Sequence, residues 1–320
     1  MKFVRLWPQN ACLFVLALHV ALCLPGCPRT TQRVVHSVEI SPVNKEMEEA
    51  AHRGEVEAQF ALGVLYAQGS QVPQDNKAAV EWFTKAANQG HAGAQYLLGF
   101  MHEKGLGIPQ SDRKAAEWYA RAANQKDAIA QLSLGKMYHE GRGVAQNHRR
   151  AVEWYSKAAG QGVAQAQFNL GEMYSAGQGV PQDYKKAAEW YTKAASQGMV
   201  KAQLTLGVIY SNGQGVKQDY TRAVEWLTKA ATQGEMDAQY ILGLMYANAE
   251  GVPQDYRKAV EWHTKAAEQG DMDAQYFLGE SYLKGQGVIR DTQKGCKHLR
   301  DSAEQGHQGA VVLHNKNCSE

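Results

Sequence analysis

The chain is poor in the residues on which most protein chemistry depends. It carries 5 cysteines in 320 residues, far short of a scaffold stapled throughout by disulfides. Its formal net charge is +2 and no basic stripe stands out, so composition gives no footing for nucleic-acid binding. The longest apolar run, Ala11–Leu24, has 14 residues and contains His19, too short to span a bilayer comfortably. No His-Glu-x-x-His, Walker loop, EF-hand loop or Ser-His-Asp order rises above chance. Apolar residues at 44% and charged residues at 21% describe an ordinary globular composition rather than a disordered chain.

The N-terminus has its own pattern. Lys2 and Arg5 precede the apolar run, and small residues follow it, the layout of a secretory signal. The next residues, Leu24-Pro25-Gly26-Cys27, resemble a bacterial lipobox, with Pro25 an unusual second residue. The expectation is a signal peptide over residues 1–26, cleavage before Cys27 and acylation of its thiol. Plain secretion and a retained anchor are the alternatives. Loss of Lys2 and Arg5 takes the 34 basic residues to 32, matching 32 acidic ones, so steering by net charge is not expected. Residues 27–43 read as a tether, roughly 50 Å long when extended. The protein is then expected to be exported, as an outer-membrane lipoprotein facing the periplasm or the cell surface, or else periplasmic or secreted.

What the chain has in abundance is repetition. Ala-Gln begins at Ala58, Ala94, Ala130, Ala166, Ala202, Ala238 and Ala274, always 36 residues apart, and Leu-Gly follows four residues later each time. Trp82, Trp118, Trp154, Trp190, Trp226 and Trp262 keep the same period, with His298 in the seventh place. A fixed period in this range means stacked supersecondary units. Each unit reads as two helices. In the first, Ala58, Leu62 and Tyr66 form an apolar stripe, and Gly63 lets a neighbouring helix approach. The second is expected to start at a cap: Asp75, Ser111, Asn147, Asp183, Asp219, Asp255 or Asp291. It stops at glycines suited to the left-handed C′ conformation, Gly90, Gly162, Gly198, Gly234, Gly270 and Gly306. Lys126 stands in the second unit's place and predicts a strained or rearranged turn. Glu81–Lys85 and Glu189–Lys193 are spaced for ion pairs. The stretch "GQGVPQD" follows a helix, lacks a Walker lysine and ends on a capping Asp183, so it is a turn rather than a phosphate cradle.

The segment "AQFNLGEMYSAGQGVPQDYKKAAEWYTKAASQG", Ala166–Gly198, resembles a Sel-one-like repeat, a relative of the tetratricopeptide repeat. The resemblance runs over about residues 46–310. It implies an all-α, α/α superhelical solenoid of seven repeats over residues 55–309, with a capping helix at 44–54, a C-terminal cap or tail at 310–320, and a role in binding proteins without a cofactor.

Positions identical in every repeat serve stacking; positions that vary on an accessible face are candidates for recognition. By resemblance to tetratricopeptide repeats, the first-helix residues two places past the alanine line a concave groove. That row includes Phe60, Tyr96, Phe168, Tyr240 and Tyr276, and packing against neighbouring helices is its other reading. One turn on come Val64, Phe100, Lys136, Glu172 and Glu280, and after them His139. An apolar floor with scattered charges suits a protein or peptide partner. The oligomeric state stays open.

Two further chemistries have partial signatures in the sequence. Ser133–Lys136 and Ser281–Lys284 match the Ser-x-x-Lys of β-lactamases, but no Ser-Asp-Asn or Lys-Thr-Gly accompanies them. Cysteine-rich members of the resembled family linked to that activity carry a disulfide in each repeat, which this chain lacks. Cys296, His298, His307, His314 and Cys318 gather near the C-terminus, yet only two are close in sequence, and residues two apart on a helix point away from each other. A Cys296–Cys318 disulfide, free thiols and a zinc site are the open readings there.

Overall fold

The computed structural model describes residues 45–318; the signal segment, Cys27 and the tether lie outside them. Among the described residues there are sixteen helices and no strand. The chain divides into two compact units, at Gln161 and Gly162. The first unit holds α1 (Lys45–His52) and three hairpins: α2 (Val56–Gln68) with α3 (Asn76–Asn88), α4 (Ala92–Lys104) with α5 (Asp112–Asn124), and α6 (Ala128–Glu140) with α7 (His148–Gly160). The second holds four: α8 (Ala164–Ala176) with α9 (Tyr184–Ser196), α10 (Val200–Asn212) with α11 (Tyr220–Thr232), α12 (Met236–Asn248) with α13 (Tyr256–Glu268), and α14 (Met272–Lys284) with α15 (Thr292–Glu304), closed by α16 (Gln308–Asn317). Within each unit a helix packs chiefly on the one before and the one after it, the stacking of a solenoid.

The caps stand where the sequence places them. Asp75, Ser111, Asn147, Asp183, Asp219, Asp255 and Asp291 each accept a bond from backbone N–H groups in the first turn of the second helix. The far ends of those helices turn through glycines at positive φ, and Lys126 adopts the same conformation at φ 70°. That turn is therefore strained but not rearranged. The expected Glu81–Lys85 and Glu189–Lys193 pairs give way to another contact. Lys85 and Lys193 lie over the rings of Trp82 and Trp190, each 3.8 Å from the centroid, where a cation meets the ring face and its aliphatic stem covers apolar surface.

Inside each hairpin the first-helix glycine admits a large side chain. A Cβ on Gly63 would stand 2.7 Å from the Phe83 ring, and one on Gly207 would strike Leu227. Between hairpins a glutamine relay fixes the register. The Gln131 amide donates to the Ala123 carbonyl of the preceding hairpin at 3.0 Å, and its oxygen accepts from Gln161 at 2.8 Å. The same relay runs from Gln95 to Ala87 and from Gln203 to Ala195. These glutamines are buried, so each unmade bond would cost about 1–3 kcal/mol.

Candidate functional site

The variable face of the first helices splits into enclosed and accessible residues. In the first unit Phe60 stacks on His91, with ring centroids 4.3 Å apart, and packs on Phe83. Tyr96 packs on Tyr119 at 5.6 Å. Phe60, Val64, Tyr96 and Phe100 are all buried, Tyr96 completely. In the second unit Phe168 is likewise buried, 5.4 Å from Tyr191. The groove reading of these five therefore needs correction. Phe60, Tyr96 and Phe168 pack on the second helix of their own hairpin, Phe60 also meets the start of the next first helix, and all five are buried.

The polar members of the face remain within reach. Lys136 is exposed, 3.8 Å from Glu140, and Glu172 is exposed. His139, Tyr240, Tyr276 and Glu280 are half-buried. His139 packs on His148 at 5.1 Å, and burial, then the charge its neighbour would carry, lowers its pKa. Partial desolvation raises the pKa of Glu172 against the pull of Lys201. Tyr240 is pushed up to about 12 by burial, then by Asp273 and Asp271. Tyr276 stacks on His307 at 4.5 Å, and Glu280 accepts from Lys284 at 3.0 Å.

A charged cluster joins the second and third repeats. The Tyr119 hydroxyl donates to Glu103 at 2.8 Å, and Arg142 reaches the same carboxylate at 3.3 Å and Glu140 at 2.6 Å. Burial works to raise the pKa of Glu103, but the Tyr119 bond, Lys104 and Arg142 outweigh it and hold the group below its ordinary value. The other repeats place alanine, serine, histidine or leucine in the position of Glu103, so this lock is particular to one joint.

The lysines of the two Ser-x-x-Lys segments, Lys136 and Lys284, pair with Glu140 and Glu280. No group of three or more His, Cys, Asp or Glu among the described residues is arranged to hold a metal ion. Cys296 on α15 is bonded to Cys318 at the end of α16. No helix among the described residues is long and apolar enough to cross a membrane.

Sequence reasoning passed over a set of exposed aromatics. Tyr184, Tyr220 and Tyr256 open α9, α11 and α13 and are 42%, 36% and 37% exposed. Their 36-residue spacing was the available signal, and it ends within three repeats.

The model of the Sel1 repeat matches this chain seven times, over residues 56–91, 92–127, 128–163, 164–199, 200–235, 237–271 and 273–307. No curated protein matches. Among solved structures, c5321, a protective antigen of uropathogenic Escherichia coli displaying an SLR fold, is 38% identical with a TM-score of 0.82. That match covers 86% of this chain and 59% of that one, so the chain spans little more than half the length of this relative. A Sel1 repeat protein from Oxalobacter formigenes is 36% identical with a TM-score of 0.67, over 84% of this chain and 78% of that one. Seven matched repeats and two such structures settle the lineage: the chain belongs to the Sel1-repeat family, whose members generally mediate protein–protein interaction.

Proposed function

We propose that this chain is an exported scaffold, tethered through an acylated Cys27, that captures a protein or peptide partner on the variable face of its first helices and serves envelope assembly or regulation. One observation carries the reading. Where stacking fixes Leu, Gly and Gln in every repeat, the neighbouring accessible position changes from Lys136 to Glu172 to Glu280. A surface position that changes charge while its neighbours stay fixed supplies specificity rather than stability.

Photo-crosslinking side chains placed singly at Lys136, Glu172 and Glu280, with Lys157 and Lys193 on second helices as controls, test this in cells. The expected result is capture of one partner from the first-helix positions, identified by mass spectrometry, and its loss in the charge reversals Lys136→Glu and Glu172→Lys. Capture from the controls alone, or unchanged capture in the reversals, overturns it. A second reading, a surface-exposed or secreted factor that engages a host protein, draws on the description of the Escherichia coli relative as a protective antigen. Protease shaving of intact cells separates the two.

A further inference from the structure

In the second unit the long turns and the helix starts that follow them form one continuous edge. Gly215 in the turn of one repeat presses against the Tyr184 backbone of the repeat before it. Gly251 does the same to Tyr220, and Gly287 to Tyr256. Three tyrosines therefore stand in series along this edge. Each is held by its hydroxyl: Gln182, Gln218 and Gln254 donate to Tyr184, Tyr220 and Tyr256 at 2.9, 3.0 and 3.0 Å. The same glutamines also donate to the carbonyls of Ser175, Ser211 and Ala247. With its polar end engaged, each ring offers the partner its apolar part.

Cations lie close to each tyrosine in sequence. Each of the four segments Gly177–Lys186, Gly213–Arg222, Ala249–Lys258 and Gly285–Lys294 carries two of them. Lys186, Arg222, Lys258 and Lys294 lie over the first-helix rings of Tyr174, Tyr210, Tyr246 and Tyr282, and Lys186, Arg222 and Lys294 pair with the caps Asp183, Asp219 and Asp291. Lys185, Lys217, Arg257 and Arg290 form no ion pair among the described residues. Asp183, Asp219, Asp255 and Asp291 spend an oxygen on backbone N–H groups as caps. Glu250 is the one other carboxylate in the four segments. Eight cations against five carboxylates leave the four segments positive by three charges, with Ala249–Lys258 neutral, on a molecule that is nearly neutral as a whole.

We propose that this edge binds a linear anionic polysaccharide, with the exposed tyrosines meeting the C–H faces of successive sugars and the flanking cations meeting their acidic groups. The periodicity decides the class. A surface that repeats ring, cation and turn from one hairpin to the next fits a ligand that itself repeats, and an acidic protein surface does not. Preformed, rigid aromatics lose little conformational freedom on contact.

The test uses the full chain and five probes in titration calorimetry at 50 mM and 300 mM salt: polygalacturonate, neutral dextran, poly-glutamate, duplex DNA and vesicles of anionic phospholipid. The expected result is that polygalacturonate binds at least tenfold more tightly than any of the others at 50 mM salt, and weakens at 300 mM as screening requires. The triple substitution Tyr184→Ala, Tyr220→Ala, Tyr256→Ala should weaken that binding by tenfold or more and leave its salt dependence intact. Lys185→Ala with Arg257→Ala should reduce the salt dependence. All three tyrosines are exposed, so the helical melt serves as the control for folding. Poly-glutamate, DNA or vesicles binding as well as polygalacturonate overturns the proposal in favour of charge alone. Equal binding of dextran, or unchanged binding by a folded triple variant, overturns it too. Lys136→Glu, on the first-helix face, should leave polysaccharide binding unaltered.

Discussion

His263 shows how one residue can set the chemistry of a core position. The other hairpins fill its place with Phe83, Tyr119, Tyr155, Tyr191, Leu227 and Leu299. His263 is 2% exposed, lies against Gly243, and packs 5.0 Å from Phe277. Its Nε2 is buried with no hydrogen-bond partner among the described residues. Burial lowers its pKa to about 4, against a bond to the Tyr240 backbone that works to raise it. The ring is neutral at pH 7 in both the folded and the unfolded chain, so it costs no protonation energy there. Below its ordinary value of 6.5 the unfolded chain takes up the proton and the folded chain refuses it, so stability falls between pH 6.5 and pH 4, by about 3 kcal/mol in all. His263→Leu, a side chain the same position accepts in the neighbouring hairpins, should match or exceed the parent at pH 7. At pH 4.5 it should exceed the parent by roughly 2–3 kcal/mol. Urea melts at the two pH values measure this. Other histidines with lowered pKa, His91 and His298 among them, leave a residual slope. A variant whose acid sensitivity equals the parent's would remove His263 as its source.

At the scale of the hairpin, the second glycine of the long turn is the joint. Gly251 has φ +73°, and a Cβ there would run into the Tyr220 carbonyl and the Thr221 nitrogen. Backbone cannot swing aside as a side chain can. Gly251→Ala should therefore cost about 2–4 kcal/mol, the left-handed penalty plus the displaced repeat. The first repeat holds Gln71 at the same place with φ 68°. Gln71→Gly should shift stability by about 1 kcal/mol or less, because relief of the left-handed strain is set against the interaction that Gln71 makes. Thermal melts of the two variants compare them directly; equal and small shifts would show that the joint tolerates a side chain. These residues also mark how far sequence alone could reach. The period, the caps and the turns were legible because each is a local rule written in neighbouring residues. The glutamine relay was visible as a recurring Ala-Gln, but its meaning lies in bonds between residues 8 and 30 apart. For Phe60 and Tyr96 the sequence left groove floor and helix packing both open, because helix periodicity gives a direction but not the neighbour that fills it. The tyrosine edge escaped because the turn of one repeat closes on the helix start of another.

At the largest scale, the contacts within each unit run between consecutive helices, and stability in such an array is a sum over repeats and their joints. A staple at one end should then act on that end. The Cys296–Cys318 bond ties α16 to α15 across 22 residues, a loop for which chain entropy gives roughly 3 kcal/mol. α16 has little else to hold it. Ala310 is its one buried residue, and Val312 is 69% exposed. Cys318→Ser should speed amide exchange over residues 311–317 by about 100-fold, the rate equivalent of that free energy when opening is local. The amides of α10 to α13 should exchange as before. Hydrogen exchange read by mass spectrometry on the oxidised parent and the variant resolves the two regions. If protection falls together in α16 and in α10 to α13, the second unit opens as one cooperative body, and the sum over joints is the wrong description of it.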